Sequence, residues 1–134
     1  MFISVYRSLN GVRSKRHYSN KDKLLSLIVL SLFYLQIIAG VILYTSSHSV
    51  RHFLSDPAQM MKDASSRFWG IEHVGLMLLS AILITLGYLL AKSSATDRSK
   101  FVKTFWFYAI GTILVLSAIP WPFREALGRT WLPF

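Results

Sequence analysis

The segment LLSLIVLSLFYLQIIAGVILY, Leu24 to Tyr44, contains 21 residues and no formal charge. As a helix rising 1.5 Å per residue it is about 30 Å long, the thickness of the hydrocarbon core of a bilayer. Two further stretches read the same way. One begins around Phe68 and runs to Ala91, with Glu72 and His73 in its first turns and nothing charged from Val74 onward. The other reaches Phe123 and closes on the bend Pro120-Trp121-Pro122. The expected spans are therefore about 24–45, 68–91 and 103–123. None carries the polar stripe of a helix lying on a surface, so each is read as crossing the membrane. The fold class is an all-α integral membrane protein of three transmembrane helices, the whole chain, 1–134, forming one membrane domain.

Composition agrees. Apolar residues make up 53% of the chain and charged residues only 16%, which excludes a disordered chain and an ordinary soluble domain. There is no cysteine, which removes disulfide scaffolds, thiolate metal sites, covalent haem attachment and iron–sulfur ligation. Fifteen Lys and Arg against six Asp and Glu give a charge of +9. In a soluble protein that balance would suggest nucleic acid; here the bases flank apolar runs, so they are read as setting orientation and no nucleic-acid partner is expected.

Six of the bases lie in residues 1–23 and four in 92–103, against three in 46–68 and two in the tail. With three spans, the N-terminus and the 92–103 loop share a side. The positive-inside rule assigns that side to the cytoplasm, giving an N-in, C-out topology. The start of the chain, Met1 to Arg7, is apolar but too short to span, and no charged n-region marks it as a signal peptide. It reads either as the last turns of a longer first helix, a remnant of a fourth span, or as an interfacial amphipathic stub. In the 46–68 loop, Ser55-Asp56-Pro57-Ala58 carries the signal of a helix start, a cap residue before a proline at the first helical position.

Few residues can carry chemistry. Glu72 and His73 are ionisable and lie at a membrane boundary, where such groups face protein, water or a cofactor rather than lipid. A neutral histidine can ligate haem iron or hydrogen-bond a quinone, and a carboxylate can relay protons. The competing reading is structural: Glu72 pairs with Arg67 or Arg124, and His73 bonds a neighbouring helix. Together with Trp121, these residues form a cluster at the outer end of the spans that is a candidate cofactor site. Met77, four residues after His73, shares its helix face. His48 and His52 are spaced i, i+4 and could meet a metal, although no third ligand lies within a turn and a solvated helix start fits equally well. Gln36, at the middle of the first span, is expected to face another helix as packing glue. Gly40, Gly75, Ser80, Gly87, Gly111 and Ala118 are the small residues that would admit close helix approach. Motifs of soluble catalysis are missing, and neither an independent enzyme nor a soluble substrate is expected.

The runs from Phe33 to Tyr44, Arg67-Phe68-Trp69-Gly70-Ile71-Glu72-His73 and Ala118-Ile119-Pro120-Trp121-Pro122-Phe123 resemble those of a family of short bacterial inner-membrane proteins labelled cytochrome b. The resemblance covers most of the chain from Ser19 onward and implies four spans, the first carrying a histidine near its outer end. It implies that His73 forms one side of a haem b or quinone site. No histidine precedes His17 in this chain, so a second haem ligand would come from His48, His52 or a partner chain.

Three functional expectations follow. The first is an accessory subunit of a larger, respiratory membrane complex in the bacterial inner membrane, surrounded by lipid. The second is a haem- or quinone-binding electron-transfer protein using His73. The third is a component of transport or secretion machinery with Glu72 as a proton relay.

Overall fold

The computed structural model describes residues 1–121, and every regular element in them is a helix. In chain order these are α1 (Phe2–Arg13), α2 (Asn20–Ser46), α3 (His48–Ser55), α4 (Pro57–Met60), α5 (Ala64–Arg67), a π-helical segment (Phe68–Glu72), α6 (His73–Lys92) and α7 (Asp97–Ala118). The helix from Ala64 to Lys92 is continuous through its π segment. With α2 and α7 it makes three helices long and apolar enough to cross a membrane. Relative to the expected spans, the third helix is displaced toward the N-terminus, starting at Asp97 and ending at Ala118. The physical reason is Pro120: it has no N–H to continue the ladder and forces the residue before it out of the helical region, and Ile119 is extended at φ −73°, ψ 130°.

Side-chain caps set most of the starts. Ser19 precedes α2, and its backbone N–H donates to Asp22 Oδ2 at 3.1 Å, half of a capping box. Asp56 accepts from the N–H of Gln59 ahead of α4, with Pro57 at the first helical position as its sequence foretells. Thr96 accepts from Ser99 at the start of α7.

The connection 93–96 is short, so α6 and α7 form an antiparallel hairpin, the most extensive helix pair in the fold. Small residues let the two backbones close. Ser80 donates to the Gly111 carbonyl at 2.9 Å, and a Cβ on Gly111 would sit 2.9 Å from Ile84. Helix α2 lies along α6, with the hydroxyls of Tyr34 and Thr85 2.9 Å apart, and Tyr108 of α7 donates to the Ser26 carbonyl of α2 at 2.9 Å. The core where the three meet contains Val29, Phe33, Met77, Ala81, Ile84, Tyr108 and Ala118. Ser80, Gly87, Gly111 and Ala118 are buried there, whereas Gly40 and Gly75 face open space.

Helix α1 is neither free nor merely surface-bound. It packs along α7, burying the stripe Ser4, Ser8 and Gly11, with Gly11 against the Phe101 ring near the start of α7 and Met1 and Val5 reaching the central core. At 12 residues it is about 18 Å long, roughly half the apolar thickness of a bilayer.

The three long helices thus define two ends. One gathers the close of α1, the starts of α2 and α7 and the close of α6. The other gathers the close of α2, the short helices α3–α5, the π segment and the close of α7.

Candidate functional site

At the second end the site is built from the unfinished terminus of α7. Helical carbonyls are normally taken by the N–H four residues on, and for Leu116 and Ala118 those residues are Pro120 and Pro122, which have none; Leu116 keeps only a long 3.4 Å bond from the Ile119 N–H. Side chains fill the gap. The Trp121 indole Nε1–H donates to the Leu116 carbonyl at 2.8 Å, and His73 Nδ1 donates to the Ala118 carbonyl at 2.8 Å. Because a carbonyl only accepts, Nδ1 carries a proton, and in the neutral form of the ring the lone pair is then on Nε2.

The π segment orients His73. The His73 N–H donates to the Phe68 carbonyl five residues back, an extra residue in the turn that is frequent where helices carry function. Phe68 and Trp69 flank the imidazole with ring centroids 5.8 and 5.5 Å away. Gly70 faces Phe53 of α3 so closely that no Cβ could fit, while its carbonyl accepts from the Tyr44 hydroxyl at 2.8 Å. Arg67 and Glu72, five apart, meet across the π turn, Nε donating to Oε1 at 2.7 Å, and Arg67 also donates to the Met61 carbonyl at 3.1 Å. The Glu72 carboxylate is therefore engaged with Arg67. Asp63, which caps α5, is held below the usual carboxylate range by hydrogen bonds from Ser66.

Between α2 and the start of α6 lies a cleft of about 450 Å³, the size of a small-ligand site. Most of its wall is aliphatic. Its distinctive groups are Gln36, Tyr44, Trp69, His73 and Met77. The structure thus brings His73 and Met77 to one cavity, as their spacing suggests, and adds Gln36 from the neighbouring helix. Gln36, expected to face another helix, lies on the wall of this cleft; it is exposed, and its amide has no hydrogen-bond partner among the described residues. His48 and His52 are exposed on α3, whose share of the cleft wall is Val50 instead. Among the described residues no three metal-ligating side chains cluster. Arg124 lies outside the described residues.

A second polar constellation, at the opposite end, escaped the sequence reading. Asp22 is buried and accepts from Arg7 (2.9 Å), from Arg16 (2.9 and 3.1 Å) and from the Ser19 hydroxyl (2.7 Å). His17 pairs with Asp97, which also meets Lys100 at 3.4 Å. The one available signal was the Ser19-x-x-Asp22 spacing of a capping box, which foretells the helix start but not the two arginines.

No family model, curated protein or solved structure matches this chain.

Proposed function

We propose that the chain is a small polytopic subunit of a larger respiratory complex in the bacterial inner membrane, with its N-terminus and the 92–103 loop in the cytoplasm. Gln36 is the observation that carries this reading. An amide exposed near the middle of a 27-residue apolar helix would face hydrocarbon, where an unsatisfied polar group is costly, and a polar side chain from a partner helix would relieve that cost. The rest of α2 fits: only 17% of its apolar window is buried within the fold, against 33% for each of the other long helices, so it has the most face to offer. The bias of bases supports the orientation, and the resemblance to the cytochrome b-labelled family supports the setting.

The test is purification in a mild detergent. The wild-type chain should co-purify with other membrane proteins at fixed stoichiometry, and Gln36→Leu should dissociate from them; recovery of both as single chains would refute the proposal. With no native cysteine, single cysteines introduced in the 46–68 and 92–103 loops report topology cleanly. Labelling of both from one compartment would overturn the orientation.

The Nε2 lone pair favours a second reading, an electron-transfer protein whose cleft holds a lipid-soluble quinol. The residues suit a quinol better than haem b: the cleft wall has one imidazole and, among the described residues, no second histidine opposite it. A bound quinol would supply the redox chemistry. His73 would accept its hydroxyl hydrogen bond at Nε2, the Gln36 amide would donate to an oxygen, and the aliphatic wall would exclude water. Binding of a short-chain quinol that His73→Ala abolishes, without a haem absorbance band, supports this reading. A haem band abolished by the same substitution would replace the quinol with haem. The proton-relay alternative has less behind it, since the Glu72 carboxylate is occupied by Arg67.

A further inference from the structure

The end that holds Asp22 has a cavity of its own, about 190 Å³, between the start of α2, the close of α6 and the start of α7. Lys23, Lys92 and Lys100 line it from the three helices, with Tyr18, Tyr88 and Asn20 among the remaining wall residues. Three ammonium groups around one cavity repel each other unless an anion sits among them, and of the two carboxylates nearby only Asp97 reaches one of these lysines. Asp22 is taken by Arg7, Arg16 and Ser19. Asp97 is shared between His17 and Lys100, and the Lys100 contact is long, 3.4 Å, with its ammonium 5.8 Å from the Tyr18 ring centre. Lys23 and Lys92 have no carboxylate partner among the described residues. Residues 1–23 and 92–103, which converge here, carry ten Lys and Arg against two acidic residues. The cavity also borders the first turn of the 27-residue α2, whose dipole favours negative charge.

We propose that this cavity binds the phosphate of an anionic phospholipid. Its volume suits a phosphodiester with part of a glycerol and is far below the larger cleft at the other end. Its position supplies the rest of the argument. It lies where the apolar windows of the helices give way to charge, the level of lipid headgroups, and basic pockets between helices at that level take anionic lipids. Leu24 and Leu27 on α2 and Leu89 on α6, each within four residues along its helix of a cavity-lining residue, are exposed, a surface along which acyl chains would descend. A phosphate carrying chains satisfies the lysines and covers these leucines together. A free phosphate satisfies the lysines alone.

The inference rests on the three apolar helices lying in a bilayer, which membrane extraction tests separately: a chain found in the soluble fraction would sink that reading, whereas a detergent-extracted chain without lipid preference would sink the lipid site alone. The experiment is native mass spectrometry of the full chain in neutral detergent, with equal phosphatidylglycerol and phosphatidylcholine added. One phosphatidylglycerol should be retained per chain in preference to phosphatidylcholine. The triple change Lys23→Gln, Lys92→Gln, Lys100→Gln should weaken its retention about tenfold or more. Arg98→Gln with Lys103→Gln removes charge from the same end without touching the cavity wall, and should weaken it by less than about twofold. Equal loss in the two variants would mean diffuse attraction and would overturn the site. Displacement of the lipid by equimolar inorganic phosphate would overturn the lipid as its ligand. Helical circular dichroism checks that the triple variant is folded; if it is not, Lys92→Gln alone, at the close of α6, should still weaken retention about threefold or more, and no change there would overturn the proposal.

Discussion

The two ends of the bundle solve the problem of terminating helices in opposite ways. At the end of α1 and the start of α2, charge does the work: one buried carboxylate, Asp22, collects two guanidinium groups and a hydroxyl and ties α1 to α2. At the close of α7, ring N–H donors do it, an imidazole and an indole bonding carbonyls to which two prolines cannot supply the usual helical N–H. The first device is strong but screened by salt; the second is weaker and indifferent to it. The histidine of the second device also lines the cleft between α2 and α6. The difference teaches that a helix end can be closed by ion pairs to one carboxylate or by ring N–H groups bonding its last carbonyls.

The largest expected effect breaks the charged end. Asp22→Asn leaves Arg7 and Arg16 without a counter-charge, and because both arginines are partly exposed the cost is discounted to about 2–3 kcal/mol, read from unfolding in mixed micelles. A loss below about 0.5 kcal/mol would mean that the arginines find water as readily as they find Asp22. Next, Gly70→Ala drives a methyl into the base of the Phe53 ring and should cost about 2 kcal/mol at the neutral end, and less when measured in a Phe53→Ala background. The same cost in both backgrounds would show that Gly70 is needed for the π turn itself.

Smaller still, His73→Ala strands the Ala118 carbonyl and should cost about 1 kcal/mol. Raising salt to about 1 M should leave that cost unchanged while shrinking the Asp22→Asn cost, since the Debye length falls to about 3 Å. Equal salt dependence at the two sites would erase the contrast drawn above. A change of similar size but opposite sign sharpens it: Lys15 adopts φ 50° just after α1, where the Arg16 N–H reaches back to the Gly11 carbonyl and the Arg16 side chain bonds Asp22. Lys15→Gly removes the left-handed penalty and should stabilise the charged end by about 1 kcal/mol in the same micelle unfolding assay.

Much of the fold is legible in residue order. Leu24 to Tyr44 announces a spanning helix because hydrocarbon demands an uninterrupted apolar run with its hydrogen bonds made internally, and that demand is local. The cap at Asp56-Pro57 is local too. The end of α7 was readable in principle, since two prolines remove the usual helical N–H from two carbonyls, but which side-chain donors come to them is a matter of packing. Met77 and His73 were legible as a pair because four residues is one turn. Gln36 beside them was not, because α2 and α6 are distant in sequence and nothing in either run states their register.

The helices, their lengths and the excess of bases at one end follow from the sequence alone, because each is set by neighbours within a few residues. That Asp22 would gather Arg7 and Arg16, that three lysines from three helices would surround one cavity, and that Gln36 would be left facing outward were decided only when the helices packed. Those outcomes depend on which faces the small residues Ser4, Ser8, Gly11, Ser80 and Gly111 allow to approach, and close approach is a property of pairs of surfaces rather than of any one stretch of chain.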